Sequence, residues 1–182
     1  MYLYPIKSDR AEPRTERALR VCHIIGHLRF GGAERQVVNI ARHMARAKSY
    51  IVCLGEPEHG GLSGLLPADV EVVWMGLRAR YAPYHIGKLA RRLRDIAPDV
   101  VHTHMFWPNV YGVLAATLAA VLAIVTCEHG KNPWKTRWHY YMERHIMSAL
   151  AHKRVCVSQD ILRVRRDIDG VPANKLIYVP NH

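Results

Sequence analysis

Short apolar runs recur along the chain, separated by longer segments in which polar and apolar residues are mixed. The runs are apolar at consecutive positions and rich in Val and Ile, which is typical of parallel strands buried on both faces. Seven strands are predicted in this way, over residues 21–25, 50–54, 70–74, 100–103, 123–127, 154–157 and 176–179.

The segments between the strands carry apolar residues three and four positions apart, as amphipathic helices do. Helices are therefore predicted from Glu34, from Tyr84 to a stop at Pro98, and over residues 109–121, 138–150 and 160–168. In the fourth of these, Tyr141, His145 and Ala149 form one stripe, and Ser158 is the expected N-cap of the fifth. The alternation predicts an α/β fold, a doubly wound and mostly parallel Rossmann-like sheet with helices on both faces.

Length and composition place the chain among soluble globular proteins. It has 182 residues, of which 49% are hydrophobic and 23% charged. We expect a basic flexible leader over residues 1–18 and a single domain over residues 19–182. The amino-terminal segment lacks the apolar core of a secretory signal, and the four cysteines contain no C-x-x-C pair. A cytoplasmic location is therefore expected.

The charge balance favours anionic partners. Lys and Arg total 26 against 15 Asp and Glu, which gives a net charge of +11. Lys88, Arg91 and Arg92 share the polar face of one predicted helix, and residues 163–166 hold a second basic cluster. Such clusters mark either a solvated helix face or a peripheral contact with an anionic membrane. No nucleic-acid recognition motif accompanies the charge, so nucleic acid is not expected as a partner.

Polar and aromatic side chains follow three of the predicted strands, in the loops 26–32, 104–109 and 128–134. Ligands of a doubly wound sheet bind at this carboxyl edge. Gly31 and Gly32 open a helix, where free N–H groups attract anions. They either contact a phosphate or sugar hydroxyl or form a tight turn. The dinucleotide G-x-G-x-x-G and Walker A motifs are absent, which argues against ordinary dehydrogenases and P-loop NTPases.

Histidines stand at two of these strand ends. His102 and His104 flank Thr103 and so point to the same side of the sheet. No third ligand is evident beside them, so no metal is expected. His129 follows Glu128 directly, and this pair either orients a sugar hydroxyl or forms a hydrogen-bonded loop.

Five segments of the chain carry these motifs in order: residues 31–41, 98–104, 128–130, 155–158 and 171–181. Together they resemble the amino-terminal domain of family 4 retaining glycosyltransferases, which have the GT-B fold. The resemblance implies transfer of a sugar from a nucleotide-sugar to a glycan or lipid-linked acceptor, without a metal or other cofactor. It also implies a part in polysaccharide biosynthesis, in association with a membrane.

The same resemblance implies roles for the residues at the strand ends. His129 would be the catalytic residue that contacts the transferred sugar, and Gly31 and Gly32 would approach the donor phosphates. The expected acceptor-binding residues are His104, Trp107, Asn109 and Glu128. The rings of Phe106, Trp107 and Trp134 would stack on a sugar or an apolar acceptor, or pack at a lobe interface.

The family's sequence continues with glycine where this chain has His182, and then with a second lobe that binds the donor. We therefore expect the donor-binding lobe to be missing or to lie on a separate chain. The leading hypothesis is the amino-terminal lobe of a transferase. The alternative is a standalone subunit that binds an acceptor or docks to a partner, and a charge-driven membrane or nucleic-acid binder is the third hypothesis.

Overall fold

The computed structural model describes residues 17–57, 60–77, 84–130 and 134–180. Its strands are β1 (Leu19–Ile25), β2 (Ala47–Cys53), β3 (Glu71–Trp74), β4 (Val100–His104), β5 (Ala123–Glu128), β6 (Lys153–Cys156) and β7 (Leu176–Tyr178). They form one parallel sheet in the order β3-β2-β1-β4-β5-β6-β7. All seven predicted strands are confirmed, and so is the doubly wound α/β fold.

The helices are α1 (Gly32–His43), α2 (Tyr84–Ile96), α3 (Phe106–Leu118), α4 (Arg137–Tyr141), a π-helical segment (Met142–Met147), α5 (Ser148–Leu150) and α6 (Gln159–Asp167). Two 3-10 turns, Leu62–Leu65 and Ala173–Lys175, were not predicted. The N-cap of α6 is confirmed, because the Ser158 hydroxyl oxygen accepts the Ile161 N–H at 3.2 Å. Helix α3 begins at Phe106, earlier than predicted, because Met105 turns the chain at φ +73° directly after β4.

Alternate residues of the central strands pack against helices on opposite faces of the sheet. Ile24 belongs to a core with α2 and α3, whereas its neighbour Ile25 belongs to a core with α1. The strand order explains this division. The chain winds from β1 to β3 in one direction and from β4 to β7 in the other, and right-handed crossovers then place the helices of the two halves on opposite faces.

Close packing of α3 on the sheet depends on Gly112. A β-carbon at this position would overlap the Thr103 side chain and would lie 3.2 Å from Cδ1 of Ile24. Helix α3 therefore approaches β4 closely, which fixes its amino-terminal residues beside the carboxyl end of that strand.

The helical segment after β5 corrects one prediction. Tyr141, His145 and Ala149 are exposed, and the buried residues include Met142 and Met147. These methionines are five positions apart, which is the hydrogen-bonding interval of a π-helix rather than of an α-helix. The predicted stripe therefore faces solvent, because the π-helical segment turns a different set of side chains toward the core.

The predicted leader falls mostly on residues 1–16, which lie outside the described residues. Its next residue, Arg17, is held in place by Asp99. The Nη1 and Nη2 atoms of Arg17 donate to the two carboxylate oxygens of Asp99 at 2.9 Å each. Strand β1 then begins at Leu19, the residue at which the domain was predicted to start.

Candidate functional site

Helix α1 begins at Gly32, after the loop of residues 26–31 that follows β1, as the glycine pair predicts. The extended Gly31 provides the first helical acceptor, since its carbonyl accepts the Arg35 N–H at 3.0 Å. The Glu34 carboxylate packs against Gly31, where a β-carbon would overlap it, and lies 3.1 Å from Nδ1 of His27. The positive end of the helix dipole stabilises this buried negative charge. The loop is therefore suited to an anion.

Four histidines cluster on one face of the sheet, near the carboxyl ends of β1, β4 and β5. They are His23, His102, His104 and His129. Nδ1 of His23 lies 3.2 Å from Nε2 of His104, and Nδ1 of His104 lies 3.0 Å from Nε2 of His129. Three imidazoles thus form a continuous hydrogen-bonded chain from the sheet interior to the half-buried His129.

His23 was missed as a site residue by the sequence analysis. The available signal was a polar residue in the middle of an otherwise apolar strand. Its Cα pairs in register with that of His102 on the adjacent parallel strand, so both side chains lie on the same face. The pairing of β1 with β4 joins residues far apart in sequence and could not be read from local pattern.

Burial keeps these imidazoles neutral at pH 7. Desolvation lowers the pKa of His23 and of His129 from 6.5 to about 4. The pKa values of His102 and His104 lie well below 6.5, first because of burial and then because of the neighbouring histidines. At neutral pH, His129 is therefore a hydrogen-bonding group rather than a cation.

Asn109 and Glu128 lie on the opposite face of the sheet, toward α3. The Thr103 hydroxyl donates to Oδ1 of Asn109 at 2.6 Å, and Nδ2 of Asn109 donates to Oε1 of Glu128 at 3.3 Å. Glu128 therefore points to the side of the sheet opposite the histidines, although it is adjacent to His129 in sequence. Asn109 and His104 are each 0% exposed and Glu128 is 2% exposed, so these three expected acceptor-binding residues lie beneath the surface of the domain.

A buried ionic network holds Glu128 in place. It joins three carboxylates and three cations: Glu128, Glu143, Asp169, Lys135, Arg154 and Arg165. Nη2 of Arg165 donates to Glu128 at 3.0 Å, and Nζ of Lys135 donates to Glu143 at 2.6 Å. The placement of Arg165 in a surface basic cluster was wrong, since this residue is 1% exposed. The opposite charges offset only part of the desolvation, since burial still raises the pKa values of Glu128 and Asp169.

Aromatic side chains border the same edge. Trp107 is half-buried, 5.1 Å from Phe106 and 5.8 Å from His139 between ring centres. The more exposed rings belong to Trp134 and Trp138, at 49% and 61% exposure. Trp138 was not among the predicted site residues. The aromatic surface available to a ligand thus extends beyond Trp107.

The three predicted membrane-facing cations of α2 differ in their surroundings. Nζ of Lys88 donates to the Met75 carbonyl at 3.1 Å, which holds it against the chain after β3. Arg91 is exposed and Arg92 half-buried. Within the described ranges, no helix has the length and apolar character needed to cross a bilayer.

Two sets of donor atoms are close enough to share a cation. One ring nitrogen from each of His23, His102 and His104 lies within 4.8 Å of the others, and His104, Cys127 and His129 form a second such set. Two of these contacts, His23–His104 and His104–His129, are already hydrogen bonds between the rings. Burial also raises the pKa of Cys127 to about 12, so its thiol is protonated at neutral pH. The expectation that the protein uses no metal stays a prediction.

These features define a Rossmann-like lobe. At the carboxyl edge of its sheet it has a helix amino terminus suited to an anion and a cluster of neutral histidines. Residues 30–182 match the family described as Glycosyltransferase Family 4, and the chain belongs to that family. The Bacillus subtilis (strain 168) protein EpsF, which is named as a glycosyltransferase, is 27% identical over 134 residues, covering 66% of this chain and 32% of EpsF.

Solved structures show the same fold. A glycosyltransferase from Rickettsia africae superposes with a TM-score of 0.71 at 19% identity, covering 90% of this chain and 43% of that one. HepE from Anabaena, solved with UDP and glucose, superposes with a TM-score of 0.69 at 16% identity, covering 90% of this chain and 44% of HepE. The chain spans less than half the length of these proteins. It corresponds to the amino-terminal domain of a GT-B glycosyltransferase.

Proposed function

We propose that this chain is the acceptor-side lobe of a retaining glycosyltransferase, which moves a sugar from a nucleotide-sugar to a glycan or lipid-linked acceptor. The observation that carries the proposal is the neutral His129 at the carboxyl edge of the sheet, in a family 4 chain. HepE, a protein of similar fold, was solved with UDP-glucose, which supports a nucleotide-sugar as donor. In this role His129 hydrogen-bonds to the transferred sugar.

Gly31 and Gly32 are the proposed donor contacts within this lobe. Their lack of side chains lets a phosphate approach the first N–H groups of α1, where the helix dipole favours negative charge. The Glu34 carboxylate now packs against Gly31. A bound phosphate therefore requires this carboxylate to move or to be neutralised, and the nearby His27 is placed to pair with it.

The proposed acceptor surface lies around Trp107, with Trp134 and Trp138 presenting exposed rings for stacking on sugars or apolar chains. Of the expected acceptor residues, the buried Asn109 and Glu128 lie on the same face of the sheet as α3 and Trp107, whereas His104 acts from the opposite face, beside His129. No metal, cofactor or nucleic acid takes part in the proposal. The protein would act in the cytoplasm, in peripheral contact with the membrane during polysaccharide biosynthesis.

The test is sugar transfer by the full-length polypeptide after His129→Ala. Removing one hydrogen bond made to the sugar in the transition state should lower kcat/KM by roughly 10²-fold. His43→Ala is the matched control, since His43 is an exposed histidine at the end of α1. Circular dichroism of both variants checks the fold. Normal transfer by the His129 variant would refute the site.

The alternative, a standalone subunit, makes a different prediction. Such a chain would bind the acceptor, or a separate donor-binding chain, without transferring sugar itself. The intact mass of the native polypeptide separates the two proposals, because a transferase of the family's usual size would be about twice as long as this chain. A native mass of 20.8 kDa would favour the subunit.

A further inference from the structure

We propose that His23 and His104 set the tautomer of His129, so that His129 offers Nδ1–H as a hydrogen-bond donor to an oxygen of the bound sugar. His23 and His104 are positioning residues, since both are 0% exposed. The identity of the ligand rests on the proposed function. The tautomer itself is a property of this chain and can be measured without any ligand.

The hydrogen-bonded chain couples the three tautomers. The two bonds join Nδ1 of His23 to Nε2 of His104, and Nδ1 of His104 to Nε2 of His129. A neutral imidazole carries one N–H, and each bond needs one donor and one acceptor. Only two arrangements satisfy both bonds: all three rings protonated at Nδ1, or all three protonated at Nε2. The pKa values of all three histidines are lowered, so neither arrangement has to compete with a charged form.

The two end atoms of the hydrogen-bonded chain of imidazoles decide between these arrangements. The end atoms, Nε2 of His23 and Nδ1 of His129, are both shielded from solvent and have no hydrogen-bond partner in the described part of the structure. One end must hold an N–H and the other a lone pair. A buried N–H without a partner is the rarer and costlier of the two. At His23, deep in the sheet, no ligand can relieve that cost, so the lone pair belongs there.

The N–H therefore belongs at Nδ1 of His129, the end of the hydrogen-bonded chain nearer the ligand edge. A sugar oxygen can accept it once a small movement of the neighbouring groups uncovers this shielded nitrogen. This placement also explains why the ring nitrogen at the His129 end of the hydrogen-bonded chain has no partner. The ligand supplies the missing partner, and His23, through His104, ensures that His129 meets it as a donor.

His102 provides a control inside the same cluster. Its ring centre lies 4.1 Å from that of His104, and its Nε2 is also buried without a partner. No hydrogen bond between described residues joins it to His104 or His129. Replacing His102 disturbs the packing of the cluster but leaves the hydrogen-bonded chain in place.

The first experiment reads the tautomers of the unmodified protein. Long-range proton–nitrogen correlation spectra of the ¹⁵N-labelled 182-residue chain near neutral pH show which ring nitrogen of each histidine carries the proton. The expected result is protonated Nδ1 and unprotonated Nε2 in His23, His104 and His129. Protonation of His129 at Nε2, or a rapidly exchanging mixture, would overturn the proposal without the need for any variant.

The second experiment compares His104→Asn, His104→Gln and His102→Gln. An Asn amide replaces the Nδ1 end of an imidazole and can still donate to His129, whereas a Gln amide replaces the Nε2 end and cannot. We expect His104→Asn and His102→Gln to keep the Nδ1–H tautomer of His129, and His104→Gln to yield a mixture. Equal tautomer populations in both His104 variants would contradict the coupling.

Sugar transfer by the full-length polypeptide completes the test. Loss of one donor should cost the His104→Gln variant about tenfold in kcat/KM relative to His104→Asn. A changed tautomer with unchanged transfer would overturn the role of Nδ1–H toward the sugar. Normal tautomers in a wild-type protein that transfers no sugar would count against the proposed function instead, while the tautomer assignment would stand.

Discussion

At the scale of single residues, buried neutral histidines tie the stability of the fold to pH. His23 has a pKa of about 4 in the folded chain, against 6.5 as its ordinary value. Between these values the unfolded chain binds more protons, so the free energy of unfolding falls as pH drops from 6.5 toward 4. The shift corresponds to an upper limit of roughly 3 kcal/mol for this residue.

Urea unfolding of His23→Gln, wild type and His43→Gln at about pH 7 and about pH 4.5 checks this expectation. Substituting His23 should make stability less dependent on pH, even if it lowers stability at pH 7. His43→Gln is the control for replacing an exposed histidine. If the wild type and the His23 variant lose equal stability on acidification, His23 is not a buried neutral histidine.

Two glycines in neighbouring helices should respond to alanine in opposite directions. Gly112→Ala forces a β-carbon onto Thr103, and overpacking of this kind costs about 1–3 kcal/mol. Gly87→Ala, on the exposed face of α2, meets no atom within 4 Å and should stabilise the fold by up to about 1 kcal/mol. Thermal unfolding of the two variants measures both changes in stability. If Gly112→Ala left the stability unchanged, α3 would lie farther from β4 than in this structure.

At the scale of elements, the ionic network links β5, the π-helical segment, β6 and α6. Glu143 shows the effect of this linkage. Burial alone would raise its pKa, but Arg154, Lys135 and Arg165 hold the pKa below its ordinary 4.5. The carboxylate is therefore charged in the folded chain at neutral pH, and its removal leaves three buried cations with one partner fewer.

Glu143→Gln should destabilise the fold by about 3–5 kcal/mol, because it breaks a buried pair from one side. Glu71→Gln is the control. Glu71 lies 3.1 Å from Lys48 in a partly exposed ion pair, whose loss should cost at most about 1 kcal/mol. Chemical unfolding near neutral pH measures both losses, and similar losses in the two variants would show that the network contributes little to stability.

The elements also show why sequence predicts some features and not others. The strands were predictable because burial on both faces leaves a local apolar run, and Ser158 was predictable because N-caps act within one turn. The π-helical segment and the buried ionic network could not be predicted in this way. Arg165 looks like any basic residue of an amphipathic helix, and its partner Glu128 lies 37 positions away in sequence. At the site, His102, His104 and His129 stood out at strand ends, but the hydrogen-bonded chain required the pairing of β1, β4 and β5.

At the scale of the whole molecule, the two faces of the sheet present different surfaces. Helix α2, with Arg91 and Arg92, belongs to the core on one face, whereas α1 belongs to the core on the other. If the net charge of +11 alone draws the protein to anionic lipid, substitutions on either helix should weaken binding equally. If α2 is the contact surface, substitutions there should have the larger effect.

Sedimentation with vesicles of mixed anionic and neutral lipid separates these outcomes. We expect binding to fall steeply as salt rises, since a Debye length of about 10 Å at 0.1 M screens exposed charges. The double variant Arg91→Glu with Arg92→Glu should bind several-fold more weakly than Arg42→Glu with Arg46→Glu, which changes the same charge at the end of α1. Equal loss in the two variants would refute a specific α2 surface. Equal binding to purely neutral vesicles would refute an electrostatic contact altogether.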